Sequence, residues 1–226
     1  MKYEIVYFDL DHTLLDFEKS EKIALFNMLK HFSIEPKEKY LETYKPINEK
    51  WWNLFSEGKY PKEVIVIERF REFFERIGLN SKYDIKEASN IYLEHLSQLG
   101  FFFDGAEELL KILKKNGQRM AAITNGVEKV QQGRSKALNL HKYFEFILTS
   151  EKVGKPKPDP LIFYEAAKLS GIPIENSVYI GDNPDSDYLG AKNAGMDFIL
   201  YDPKSVYTHL NCKKVKNYDE LLNLLI

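Results

Sequence analysis

Three features of this 226-residue chain predict an α/β fold: a doubly wound parallel-sheet core with an all-helical insertion. Short apolar runs alternate with amphipathic segments throughout the part after Gly100, the pattern of strands joined by crossover helices. One further run, Ile5 to Phe8, stands alone at the N-terminus. Between them, over roughly residues 16–98, lie about four consecutive helical segments with no strand-like stretch.

Ile5 to Phe8 reads as a strand buried on both faces, because unbroken β-branched and aromatic residues suit the middle of a parallel sheet. Phe17 to Phe32 carries apolar residues at helical spacing and is closed by Ser33 and Pro36. Lys37 to Phe55 is helical again and ends near Gly58. Lys62 to Ile77, stopped by Gly78, and Ile85 to Leu99, stopped by Gly100, complete the block. The pattern then predicts helices at Ala106–Lys115, Val127–Leu138, Pro160–Ser170 and Tyr188–Ala194. It predicts strands at Met120–Ile123, Phe144–Leu148, Val178–Ile180 and Phe198–Tyr201. The lone first strand makes the helical block an insertion: residues 1–15 and 101–226 form the α/β core, and 16–100 the helical cap.

Composition narrows the function classes. A hydrophobic content of 44% with 14% aromatics supports a sizeable core. A formal charge of −2 and a pI near 6.3 give no electrostatic reason to expect nucleic acid or an anionic membrane as partner. Cys212 is the only cysteine, so no intrachain disulfide forms. With no apolar segment of membrane-spanning length and no signal-like start, the expected location is cytoplasmic.

Four polar clusters follow predicted strands, and ligands in open parallel sheets bind outside the carboxyl ends of the strands. Asp9 and Asp11 come first, at i and i+2, which on an extended backbone turns both carboxylates the same way. At an effective dielectric of about 20, two unit charges about 4 Å apart repel by roughly 4 kcal/mol. A hard divalent cation is the simplest counterweight, and an Asp N-cap is the plainer alternative. Thr124-Asn125-Gly126 offers a hydroxyl, an amide and backbone N–H groups suited to a phosphate oxygen, or to capping a helix. Gly154-Lys155-Pro156-Lys157-Pro158-Asp159-Pro160 is a rigid loop able to aim a lysine inward or to stand in solvent. Gly181-Asp182-Asn183-Pro184-Asp185-Ser186-Asp187 suits either a metal ligand or a tight turn.

Together, Asp9-Leu10-Asp11-His12-Thr13, Thr124, the Lys157 of Lys-Pro-Asp-Pro, and Gly181-Asp182 with Asp187 resemble the ordered motifs of the haloacid dehalogenase-like hydrolase superfamily. The resemblance implies a HAD-like core with a helical cap inserted after the first motif. It also implies an enzyme: a phosphomonoester hydrolase with Mg2+ as cofactor. Asp9 would be the nucleophile, forming an aspartyl-phosphate, and Asp11 the acid and then the base. The metal would be held by Asp9, the Asp11 backbone carbonyl and Asp182. Thr124, Asn125 and Lys157 would bind the phosphoryl group, with Asp187 in support. Lys157 is preferred to Lys155 because the family lysine directly precedes Pro-Asp-Pro. His12 is read as structural.

The cap resembles that of the YjjG-type pyrimidine 5′-nucleotidases through Leu15-Asp16-Phe17, Tyr44-Lys45-Pro46-Ile47-Asn48, Trp52, Phe55, Glu57-Gly58-Lys59 and Arg69-Phe70. This implies a small-molecule phosphomonoester, a nucleoside 5′-monophosphate, as partner. Phe17, Asn48, Trp52 and Arg69 are the candidate substrate contacts, although such residues also build the interior of a helical insert. A sugar-phosphate phosphatase or phosphomutase shares the core motifs and stays open. A 2-haloacid dehalogenase has no use for an acid at Asp11. A phospho-receiver carries its aspartate well inside a shorter domain without an insertion.

Overall fold

The computed structural model describes residues 2–79 and 82–226. In chain order, β1 (Ile5–Phe8) is followed by four helices: α1 (Phe17–His31), α2 (Glu38–Ser56), α3 (Lys62–Arg76) and α4 (Ile85–Ser97). Then come α5 (Ala106–Lys115), β2 (Arg119–Thr124), α6 (Glu128–Ala137), β3 (Ile147–Thr149), α7 (Ser150–Val153) and α8 (Leu161–Ser170). The chain ends with β4 (Ser177–Gly181), α9 (Leu189–Ala194), β5 (Asp197–Tyr201), β6 (Lys213–Val215) and α10 (Tyr218–Leu225).

The strands form one parallel sheet in the order β3-β2-β1-β4-β5-β6. The doubly wound core expected from the sequence is therefore present. β1 lies in the middle, with Phe8 opposite Ala122 on one side and Ile180 on the other. Side chains alternate between faces along a strand, so both faces of β1 need cover. Val6 and Phe8 pack with Leu109, Leu110 and Leu113 of α5 and with Leu221 and Leu225 of α10. Ile5 and Tyr7 pack with Ile162, Phe163 and Ala166 of α8 and with Ala191 and Ala194 of α9. Two-sided burial explains the unbroken apolar run. The one polar atom this places inside, the Tyr7 hydroxyl, is met by Ser170 Oγ at 2.7 Å and the Ala166 carbonyl at 3.1 Å.

Several elements differ from the sequence reading. β6 and α10 have no clear signal in the sequence, because Lys213 and Lys214 disguise an edge strand and α10 is short. Asn217 caps that helix by accepting from the Glu220 N–H at 2.9 Å. The strand expected at 144–148 shrinks to Ile147–Thr149. Ahead of it, Phe144 is buried in one face of the core while Phe146 packs against the other. The helix expected from Tyr188 is preceded by a wide π-type turn, Pro184–Tyr188. α2 runs on through Pro46.

The chain separates into two compact units. One holds the chain up to Phe17, Phe101–Glu128 and Leu138–Ile226; the other holds Glu18–Gly100 with Lys129–Ala137. Residues 129–137, placed with the sheet by sequence, thus group with the helices. Gly133 shows why: a Cβ there would lie 2.4 Å from the Ser97 carbonyl oxygen at the end of α4. Arg134 Nε donates to the Leu99 carbonyl at 3.1 Å. Among the described residues no helix is long and apolar enough to cross a membrane.

The helical unit has its own core. Tyr44 stacks on Phe70 at 5.3 Å and leans on Tyr92 at 5.7 Å. Beside these rings runs a buried polar chain. Arg69 Nη1 donates to Asn48 Oδ1 at 2.7 Å, and Asn48 Nδ2 donates to Glu21 Oε1 at 2.7 Å. Removing the charged head leaves the buried Asn48 Oδ1 without this donor and takes the cation from the chain that ends at the buried Glu21, which typically costs several kcal/mol. Arg69→Met is therefore expected to lower unfolding free energy by about 3 kcal/mol in urea titration. A loss below about 1 kcal/mol would show that the chain contributes little.

Candidate active site

The register of β1 decides where the site lies. Phe8 is level with Ala122 and Ile180, and β2 and β4 run on only to Thr124 and Gly181, so Thr124 and Asp182 lie one residue beyond the level of Asp9 at the carboxyl edge of the sheet. Asp9 is anchored there by its N–H, which donates to the Ile180 carbonyl at 2.8 Å. The following residues curl back at once, with the N–H groups of Leu14 and Leu15 both donating to the Leu10 carbonyl. Thr13 is thereby buried, and its hydroxyl donates to Asp182 Oδ1 at 3.2 Å. The Tyr218 hydroxyl supports the turn by donating to the Thr13 carbonyl at 2.9 Å.

Lys157 is the centre of the arrangement. Its ammonium donates to Asp9 Oδ1 at 2.6 Å, to Asp187 Oδ1 at 2.7 Å and to the Tyr179 hydroxyl at 2.7 Å. All three partners and the lysine itself are under 7% exposed. Lys155, two residues earlier in the same loop, is exposed. Asn125 grips the lysine's backbone: Lys157 N–H donates to Asn125 Oδ1 at 2.9 Å and Asn125 Nδ2 donates to the Lys157 carbonyl at 3.0 Å. The amide expected at a phosphate is thus engaged with the lysine's main chain. The Thr124 hydroxyl, also buried, accepts from the Gly126 N–H at 3.0 Å.

The turn after β4 is built by its own side chains. Asn183 Oδ1 accepts from the N–H groups of Asp185 and Ser186, and Asp187 Oδ2 accepts from the Asn183 N–H at 3.1 Å. Asp185 and Asn183 shape this turn at the surface, whereas Asp187 is carried inward to the lysine. The carboxylates of Asp9, Asp182 and Asp187 each place an oxygen within 4.8 Å of the others. Asp187 uses both oxygens on protein donors, which leaves Asp9 and Asp182 as the carboxylates suited to a cation. Two acids brought together at a strand edge fit a hard divalent ion.

The electrostatics point the same way. Burial pushes the Asp9 carboxyl well up from its ordinary range; Lys157 opposes this, while Asp187 and Asp182 add to it. Burial and the Asp187 charge push Asp182 up to about 7. Burial alone would depress the Lys157 ammonium, but Asp187 and Asp9 outweigh it and hold it above its usual value. Asp11 is partly exposed, and its side chain lies outside the acidic cluster. His12 takes a left-handed backbone (φ 64°), and its exposed ring meets Phe17 edge-on at 5.4 Å.

A family model described as haloacid dehalogenase-like hydrolase matches residues 6–201. The chain belongs to the haloacid dehalogenase-like hydrolases. It is 34% identical to the pyrimidine 5′-nucleotidase PynA of Streptococcus pneumoniae, an alignment covering 100% of this chain and 96% of that protein. It is 28% identical to the pyrimidine 5′-nucleotidase YjjG of Escherichia coli, over 87% and 84% of the two chains. The magnesium-bound structure of the HAD-hydrolase YfnB of Bacillus subtilis superposes with a TM-score of 0.89, at 27% identity, over 100% of this chain and 99% of that one. This haloacid dehalogenase-like hydrolase is accordingly an enzyme of the phosphatase type.

Of the four residues singled out in the helical block, Asn48 and Arg69 lie in the buried chain described above. Trp52 is half-buried and meets Phe55 edge-on at 5.8 Å, and Phe17 is half-buried beside His12. Two contributors escaped the sequence reading. Thr13 stands out in the sequence only as part of a motif, and Tyr179 reads as one more apolar strand residue.

Gly181 permits the whole cluster, because a Cβ there would sit 2.2 Å from Asp187 Oδ2. Gly181→Ala must displace that carboxylate and with it the lysine. Phosphatase kcat/KM is expected to fall by at least about 30-fold, since sub-ångström placement carries effects of this size. Wild-type turnover of an aryl phosphate by this variant would contradict the geometry's importance.

Proposed function

We propose that this hydrolase is a Mg2+-dependent phosphomonoesterase that acts on nucleoside 5′-monophosphates, pyrimidine nucleotides foremost, through an aspartyl-phosphate. The observation that carries the chemistry is the buried Lys157 bound to Asp9, with an Asp182 oxygen within 4.8 Å and Thr124 at the end of the neighbouring strand. The substrate class is supported by similarity along the full chain to PynA and along most of it to YjjG.

Asp9 attacks phosphorus, the P–O bond to the nucleoside breaks, and the departing oxygen takes a proton from Asp11. Water then attacks the acyl-phosphate, gives a proton to Asp11, and frees inorganic phosphate and the Asp9 carboxylate. Thr124 and Lys157 hold the phosphoryl oxygens through both halves. Asp9, the Asp11 carbonyl and Asp182 would hold the Mg2+, whose charge, when it is bound, offsets that of the phosphoryl oxygens and the two carboxylates. Asp187 keeps Lys157 in place. Phe17, Asn48, Trp52 and Arg69 are the proposed contacts to the nucleoside. Supporting this, the Nε and Nη2 of Arg69 are buried without a hydrogen-bond partner among the described residues, and that edge of a guanidinium binds paired acceptors.

Three measurements test this reading. Asp9→Asn is expected to lower kcat by at least about 1000-fold while circular dichroism stays native; substantial residual turnover would refute the nucleophile. Across a panel of nucleotides and sugar phosphates, kcat/KM is expected to be highest for pyrimidine 5′-monophosphates. Preference for a sugar phosphate would replace the substrate class and leave the phosphatase. The third uses pH. A carboxyl raised to about 7, as Asp182 is, gives stability that is present below its unfolded value near 3.9 and lost as pH climbs through 7. Mg2+ is therefore expected to raise Tm more at pH 8 than at pH 5. Equal shifts at both would contradict cation binding at Asp182.

A further inference from the structure

The Lys157 ammonium has three protons and no lone pair, so each short contact to it must be an acceptor. Two of them are carboxylates, Asp9 and Asp187; the third is the neutral hydroxyl of Tyr179 at 2.7 Å. Having accepted from the lysine, that hydroxyl must send its own proton elsewhere. The nearest acceptor is the Ile123 carbonyl at 3.0 Å, with the Asp9 and Asp187 oxygens farther off at 3.5 and 3.4 Å. Tyr179 thus bridges the lysine head to the end of β2, one residue before Thr124. Its ring is fixed from both sides, edge-on to Phe163 at 5.0 Å and tilted against Phe198 at 6.2 Å. A hydroxyl on so rigid a ring defines a point in space.

The alternative partner for the third proton is the Ile123 carbonyl itself, now 3.4 Å from the ammonium. Without the phenol, the lysine head satisfies that proton only by moving toward β2 and away from its two carboxylates. In a dry site an unpaired ammonium proton is costly, so that displacement is the expected response.

We propose that Tyr179 is a positioning residue for phosphoryl transfer, its hydroxyl setting where the Lys157 ammonium stands and so where a phosphoryl oxygen is held. Tyr179 itself does not touch the substrate. The inference rests on the proposed role of Lys157 toward the phosphoryl group. It adds a residue that lies outside the sequence motifs, on a strand where its polar atom is hidden in an apolar run.

Tyr179→Phe keeps the ring and its contacts and removes only the hydroxyl. Its kcat/KM is expected to fall about 10-fold, and by the same factor for a nucleotide and for an aryl phosphate, because the phosphoryl group is what they share. In a Lys157→Met background the same substitution should add less than about a twofold change, since its effect runs through the lysine. Orthovanadate affinity in the presence of Mg2+, measured by calorimetry well below Tm, should weaken about 10-fold in Tyr179→Phe and be unchanged by it when Lys157 is Met. The proposal is overturned by wild-type kcat/KM in Tyr179→Phe, by an equal loss in both lysine backgrounds, or by unaltered vanadate affinity. If Lys157→Met alone leaves activity intact, it is the role of the lysine that fails, which separates the two readings.

Discussion

A single buried cation, the ammonium of Lys157, holds this site together. It is drawn into the carboxyl edge of the sheet by Asp9 and Asp187 and is almost wholly shut off from solvent. A lone charge at such a depth would be prohibitive, and two carboxylates beside each other without it would repel. Each group makes the other tolerable. The surrounding structure can be understood as the means of bringing them together. The adjacent ends of β1, β2 and β4 supply the edge, the proline-bounded loop delivers the lysine, Asn125 clamps its backbone, and Gly181 leaves room for Asp187.

The excess of negative charge that remains explains why the site calls for something more. Lys157 answers Asp9 and Asp187, and Asp182 stands nearby, with the Thr13 hydroxyl as its side-chain donor among the described residues. Its carboxyl is correspondingly hard to ionise. A hard divalent cation restores the balance and equips the edge to receive the further negative charge of a phosphate monoester. The same accounting gives Tyr179 its place, since a third carboxylate around the lysine would overshoot while a phenol satisfies the last proton without adding charge.

Much of this was legible in the sequence, for identifiable reasons. Burial of β1 on both faces forces an unbroken apolar run, so the central strand announced itself, and the insertion followed from its isolation. Asp9, Thr124 and Asp182 were visible because polar residues where buried strands end are conspicuous, and Lys157 because it directly precedes Pro-Asp-Pro in a loop rich in proline. What stayed hidden follows physical lines too. Tyr179 carries its hydroxyl on a ring that packs like any apolar residue, so only three-dimensional contact reveals its use. Residues 129–137 follow a strand of the sheet, and nothing in their spacing tells that Gly133 lies against the end of α4. Asn125, expected at a phosphate, turned out to hold the lysine's main chain, a pairing between residues far apart in the chain.

The account's central claim is that phosphorus passes through Asp9, and acid-quenching the enzyme during steady turnover of a nucleotide tests it directly. Mass spectrometry of the digested protein should find a phosphoryl group, labile to hydroxylamine, on the peptide that carries Asp9. A protein that turns over rapidly yet never carries phosphate there, or carries it on another residue, would contradict the account.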